Sequence, residues 1–117
     1  MSDITSQSLF ELTSNIKEKK LSSEEITKAF INRAEKSKKL NVYVTDNFDN
    51  AIDQSKKFDS NPNLDTKLPG IPIAVKDLFC TNGIRTTAGS KILNNFVPTY
   101  ESTVTQNLWN NGAILLG

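Results

Sequence analysis

The chain has 117 residues, with 14 lysines and arginines against 13 aspartates and glutamates, which is enough for one small domain. It contains no histidine and one cysteine. These counts exclude His-based catalytic triads, nearly all His-containing zinc and iron sites, and an internal disulfide. The near-neutral charge argues against a broad nucleic-acid-binding surface, and the sequence lacks a membrane-spanning run and a signal or transit peptide. We therefore expect a cytoplasmic protein with no membrane contact.

The first part of the chain, residues 1–66, has the hydrophobic periodicity of amphipathic helices. Apolar or small side chains recur at helical spacing in three segments, at Leu9, Leu12 and Ile16, at Ile26, Ala29, Phe30 and Ala34, and at Phe48, Ala51, Ile52 and Ser55. Ser22 and Glu25 form a capping-box pattern, so we expect the second helix to begin at Ser22. Residues 42–45 have the β-branched and aromatic composition of a short strand.

The second part, residues 67–117, has the pattern of a parallel α/β sheet. Apolar runs at 71–75 and 113–116 predict two buried strands, and the spacing over 101–110 predicts a helix between them. We expect residues 80–90 to form a loop over the end of the first strand. Two strands joined by a long crossover with a helix are typical of a parallel sheet, whose ligand site lies beyond the carboxyl ends of its strands.

Lys76 is the main candidate for chemistry, because it directly follows the first predicted strand. A buried strand end with no local counter-charge favours a neutral amine, which can act as a general base toward a serine hydroxyl. From spacing alone, a lysine that reaches solvent or a distant carboxylate is the simpler interpretation. Asp77 is predicted to be structural and Cys80 to be buried. The loop Thr86–Ser90 offers hydroxyls for an anion or a carbonyl, but loops of this composition are common.

Three segments of the chain carry a resemblance to a known family. They are LPGIPIAVKD at 68–77, GIRTTAGS at 83–90 and GAILLG at 112–117. These segments resemble the amidase signature family, and within it the chain is similar to the amidase subunits of tRNA-dependent amidotransferases. The resemblance implies the α/β amidase signature fold, with a helical region at 1–66 followed by the first core strands and crossover at 67–117. On this basis we expect the chain to be the N-terminal portion of a single, longer domain.

The resemblance also implies a mechanism. Members of the family hydrolyse amides through a Ser-cisSer-Lys triad, and the triad lysine matches Lys76, which favours the catalytic interpretation. Both serines belong to a Gly/Ser-rich segment expected beyond Gly117, so the 117-residue chain alone is expected to be inactive.

The complete amidase would release ammonia from glutamine for a partner protein, the B subunit of the amidotransferase. There, glutamate attached to tRNA is amidated after activation by ATP, in an assembly that includes a C subunit. Transfer RNA is reached only through the B subunit, and no cofactor or metal is expected on this chain. Two alternatives stay open: a stand-alone amidase acting on another small amide, and a short non-catalytic remnant.

Overall fold

The computed structural model describes residues 3–117, which form four α-helices and a two-stranded parallel sheet. The helices are α1 (Leu9–Lys17), α2 (Ser23–Lys36), α3 (Phe48–Ser60) and α4 (Thr103–Asn110), and the strands are β1 (Pro72–Ile73) and β2 (Ile114–Leu115). Short 3-10 turns lie at Ile4–Ser6 and Lys38–Leu40. The predicted order of N-terminal helices followed by an α/β crossover is confirmed. Within residues 3–117, no helix has the length and apolar character needed to cross a membrane.

Helix α2 begins where the sequence predicts. The backbone N–H of Glu25 donates to Ser22 Oγ at 3.1 Å, and the backbone N–H of Ser22 donates to the Glu25 carboxylate at 2.8 Å. The predicted capping box is therefore formed. Leu21 and Ile26, which flank the cap, are both buried in one core cluster and fix the direction in which the chain enters the helix.

The N-terminus of α2 is also held by Asp59, near the end of α3. The Asp59 carboxylate accepts the backbone N–H of Ser23 at 2.8 Å and that of Glu24 at 2.9 Å, which places a negative charge at the positive end of the helix. The Ser23 hydroxyl donates to the carbonyl of Gly70 at 2.6 Å. We call Ser23, Asp59 and Gly70 the α2 junction, because α2, α3 and the approach to β1 meet there.

The sheet pairs β1 with β2 in parallel, with Ile73 opposite Leu115. The pairing continues beyond β1, where the N–H of Val75 donates to the carbonyl of Gly117 at 3.0 Å. Helix α4 lies in the crossover that joins the two strands, so the predicted parallel connection is confirmed. Because the strands are parallel, residues that follow β1 and β2 lie at the same edge of the sheet.

Strand β1 is shorter and less buried than the sequence predicts. Regular strand covers Pro72–Ile73 rather than 71–75, both of its residues are half-buried, and Ala74 is exposed. The described residues place β2 on one side of β1 and no strand on the other, so the apolar run is only partly covered. The second predicted strand agrees better, since residues 113–116 are all buried.

The predicted strand over residues 42–45 is wrong, since this segment has no regular secondary structure. It packs on the end of β2, where a Cβ built on Gly117 would lie 2.7 Å from the Thr45 carbonyl oxygen and 2.7 Å from Tyr43 Cδ1. In this position residues 42–45 pair with neither β1 nor β2, so they form no β-ladder. Because no sheet within residues 3–117 covers them, the β-branched side chains of Val42 and Val44 are 65% and 60% exposed.

Two clusters of buried side chains form the core. One lies between α1, α2 and the approach to β1, at Leu12, Ile16, Leu21, Ile26 and Ile71. The other lies between α2, α3 and β2, at Ile31, Ala51, Ile114 and Leu116. The half-buried Phe30 packs against both clusters and so joins the helical part of the molecule to the sheet.

A buried hydroxyl in α2 provides a stability test. Thr27 is 0% exposed, and its Oγ1 has no hydrogen-bond partner within residues 3–117. We expect Thr27→Val to raise the free energy of unfolding by about 1 kcal/mol, because valine keeps the β-branched shape and removes a desolvated hydroxyl. Urea denaturation measures the change.

Thr105→Val is the matched control for this substitution. Thr105 is also a helical residue at 0% exposure, but its hydroxyl bonds to the carbonyl of Cys80 at 3.3 Å and to the Glu101 carboxylate. The same substitution should therefore lower the free energy of unfolding by about 1 kcal/mol or more. Equal destabilisation at both positions would contradict the prediction for Thr27.

Candidate active site

A cavity of about 360 Å³ lies beyond the carboxyl ends of β1 and β2. Most of its lining comes from three segments, residues 42–45, 74–77 and 84–86, together with Leu115 and Gly117 of the sheet. This is the position at which open parallel sheets bind ligands, and it is where the sequence predicts a site.

Lys76 lines this cavity. The carbonyl of Lys76 accepts the N–H of Leu78 at 2.7 Å and that of Phe79 at 3.1 Å, so the chain turns directly after the lysine. Its side chain is exposed, and among residues 3–117 no hydrogen bond or ion pair occupies its amine. The buried surroundings expected for it are not found within these residues, because β1 ends early and Ala74 is exposed. The amine is therefore open to a reacting group, and its catalytic role stays a prediction.

Asp77 holds the neighbouring loop against the end of β1. Its carboxylate accepts the backbone N–H of Thr87 at 2.8 Å and the Thr87 hydroxyl, and its carbonyl accepts the N–H of Ala88 at 2.7 Å. These bonds give Asp77 the structural role predicted for it. Because Asp77 is the next residue after Lys76, the loop is fixed directly beside the candidate base.

The loop Thr86–Ser90 does not present an open anion site. Each of its five backbone N–H groups already has an acceptor, in Phe96, in Asp77 or within the loop itself. Among the described residues no hydrogen bond joins Ser90 to Lys76, so the structure does not assemble a serine–lysine pair from these two. The interpretation of the segment as an ordinary loop therefore fits its bonds better than a substrate cradle.

Two tyrosines have raised pKa values: Tyr43, which lines the cavity, and Tyr100, which contacts Cys80. Burial raises the pKa of Tyr43 above its ordinary value, and its ring packs edge-on against Phe48 with centroids 5.7 Å apart. Cys80 is half-buried rather than buried as predicted, and its Sγ lies 3.4 Å from Tyr100 Oη. The hydrogen bond to Cys80 raises the pKa of Tyr100. Both phenols are consequently neutral near pH 7.

Arg85 also lines the cavity, although the sequence did not single it out. Its Nε donates to the carbonyl of Asn94 and its Nη2 to the side-chain oxygen of Asn94, both at 2.5 Å. Its Nη1 donates to Thr45 Oγ1 at 3.1 Å and, at 3.4 Å, to the carbonyl of Val44. Arg85 thus connects two cavity-lining segments that are far apart in the sequence.

The family of the chain follows from its match to known proteins. The amidase family model matches residues 25–117. The chain belongs to the amidase family. This match confirms the resemblance carried by the segments at 68–77, 83–90 and 112–117. The α/β fold that the resemblance implies agrees with the helices and parallel strands described above.

Individual proteins match all or nearly all of the chain. It is 70% identical to the A subunit of glutamyl-tRNA(Gln) amidotransferase from Pelagibacter ubique, over 100% of this chain and 24% of that protein. The protein of the same name from Hyphomonas neptunium is 46% identical, again over 100% of this chain and 24% of the relative. The structure of an amidase family protein from Bacillus anthracis superposes with a TM-score of 0.86 at 30% identity, over 97% of this chain and 24% of that one. The chain therefore spans about a quarter of the length of these relatives.

Proposed function

We propose that this amidase chain is the N-terminal portion of the cytoplasmic subunit that releases ammonia from glutamine for the conversion of Glu-tRNA(Gln) to Gln-tRNA(Gln). The observation that carries the proposal is the position of Lys76 at the cavity beyond the strand ends, in a chain 70% identical to the A subunit of that amidotransferase. Residues 1–66 and 67–117 would be the helical region and the first core strands of one amidase domain. We call the proposed longer protein the full-length subunit.

In the proposed mechanism, Lys76 is the terminal base of a Ser-cisSer-Lys triad. Its neutral amine takes a proton through the bridging serine while the nucleophilic serine attacks the side-chain carbonyl of glutamine. The C–N bond then breaks, the proton passes to the leaving nitrogen as ammonia departs, and water hydrolyses the acyl-enzyme. Both serines would come from a Gly/Ser-rich segment outside this chain, so the 117 residues alone would be inactive.

The ammonia would pass to the B subunit, which uses ATP to activate the glutamate on tRNA(Gln), in an assembly completed by the C subunit. Under this proposal the amidase reaches tRNA only through the B subunit and carries no cofactor of its own. The net charge of +1 supports the assignment of tRNA binding to the B subunit, because a surface that binds tRNA phosphates directly is ordinarily basic.

Amide hydrolysis by the full-length subunit tests the proposal. With the B and C subunits present, we expect ammonia release from glutamine and conversion of Glu-tRNA(Gln) in the presence of ATP, whereas the 117-residue chain alone should release no ammonia. Hydrolysis of another small amide without glutamine hydrolysis would overturn the proposal in favour of a stand-alone amidase. Inactivity toward every amide tested would instead favour a non-catalytic remnant.

A further inference from the structure

We propose that Arg85 is a positioning residue for Lys76, because it closes a ring of hydrogen bonds and close packing around the cavity that the lysine lines. The inference rests on the proposed function, in which Lys76 is the base. Arg85 itself need not touch the substrate. It would act through the loop that Asp77 attaches to the end of β1 and through the cavity-lining segment 42–45.

The first half of the ring runs from Lys76 to segment 42–45. Asp77 follows Lys76 in the chain and accepts the backbone N–H of Thr87 at 2.8 Å. Arg85 belongs to the same loop, and its Nη1 donates to Thr45 Oγ1 at 3.1 Å. The position of the loop beside Lys76 is therefore tied to the position of Thr45 through one guanidinium group.

The second half returns from segment 42–45 to Lys76 through the sheet. The carbonyl of Thr45 packs so closely on Gly117 that a Cβ built there would lie 2.7 Å from the Thr45 oxygen. The carbonyl of Gly117 accepts the N–H of Val75 at 3.0 Å, and Val75 precedes Lys76. Lys76 is thus held from both of its neighbours in the chain, and the guanidinium of Arg85 joins the two lining segments within this ring.

The charge environment of Arg85 supports a positioning role. Its acceptors are two backbone carbonyls, one amide oxygen and one hydroxyl, and within residues 3–117 it makes no ion pair. The planar guanidinium can hold Asn94 with two bonds while a third donor reaches Thr45. A lysine ammonium has no such fork, so it cannot reproduce all of these bonds in one position.

Steady-state glutamine hydrolysis by the full-length subunit, in complex with the B and C subunits, tests this inference. Arg85→Met keeps the apolar stem and removes every donor, and we expect its kcat to fall at least about tenfold with KM within about threefold, because Lys76 acts in the chemical step. Arg85→Lys should recover only part of the loss. Thr45→Val removes one acceptor and should lower kcat less, and adding it to Arg85→Met should cause little further loss, since both remove the same link.

Arg33→Met is the matched control. Arg33 lies on α2, away from the cavity lining, and donates to Thr5 Oγ1 at 2.7 Å. Its replacement should leave kcat unchanged. Two outcomes would overturn the inference: a kcat for Arg85→Met within about twofold of the parent, or an equal loss in Arg33→Met. Lys76→Ala is measured in the same series: if it stays active, the proposed function fails, and if it is inactive while Arg85→Met is fully active, only the role of Arg85 fails.

Discussion

Replacing Lys76 by alanine in the full-length subunit is expected to reduce kcat for glutamine hydrolysis by about four orders of magnitude, as loss of one member of a catalytic unit typically does. The fold should be unaffected. Among residues 3–117 the side chain is exposed and its amine makes no hydrogen bond or ion pair, so its loss breaks no contact that holds these residues together. Ammonia release, circular dichroism and the thermal unfolding temperature measure the two effects.

Lys76→Arg tests in the same experiment whether a neutral base is needed. Arginine is a long basic side chain that does not lose its proton in proteins, so it cannot accept the proton from the bridging serine and this variant should be about as inactive as alanine. Lys91→Ala is the control, because Lys91 is an exposed lysine of the same crossover and does not line the cavity. Substantial activity in Lys76→Arg would show that the residue does not act as a base.

The features that the sequence predicts best are those fixed by neighbouring residues. The capping box of Ser22 with Glu25 places the start of α2 because its partners lie within one helical turn. The same Ser-x-x-Glu pattern at Ser8 and Glu11 starts α1 and is readable in the same way. The segment 42–45 shows the limit of such reasoning, because β-branched composition does not supply the neighbouring strand that a ladder requires.

The same distinction between local and distant contacts applies to the candidate site and to the α2 junction. Lys76 could be placed at the cavity because a parallel strand order puts the carboxyl ends of β1 and β2 together. Asp59 and Arg85 could not be assigned, because Asp59 bonds to a residue 36 positions away and Arg85 to one 40 positions away. No local spacing encodes such contacts. They depend on how the helices pack against the sheet, which only the folded chain determines.

The largest expected loss of stability comes from Gly70→Ala at the α2 junction. Gly70 has φ +64°, and a Cβ built there would lie 2.7 Å from Phe58 Cδ1 and 2.7 Å from Ser23 Oγ. The left-handed backbone costs a non-glycine residue about 1–2 kcal/mol, and overpacking of this kind adds about 1–3 kcal/mol. We therefore expect the free energy of unfolding of the full-length subunit to fall by about 3 kcal/mol, measured by urea denaturation.

Gly83→Ala isolates the backbone contribution to this loss, because Gly83 has φ +75° and, among residues 3–117, no atom outside Gly83 and its two chain neighbours lies within 4 Å of the methyl group that alanine would add. Its substitution should cost only about 1–2 kcal/mol. If Gly70→Ala lowers the free energy of unfolding no more than Gly83→Ala does, the side chains of Phe58 and Ser23 move aside without an energetic penalty, which would contradict the prediction. Because Gly70 lies outside the cavity lining, Gly70→Ala should keep its glutamine hydrolysis at temperatures well below its unfolding transition. Lys76→Ala should show the opposite combination, a stable protein without activity.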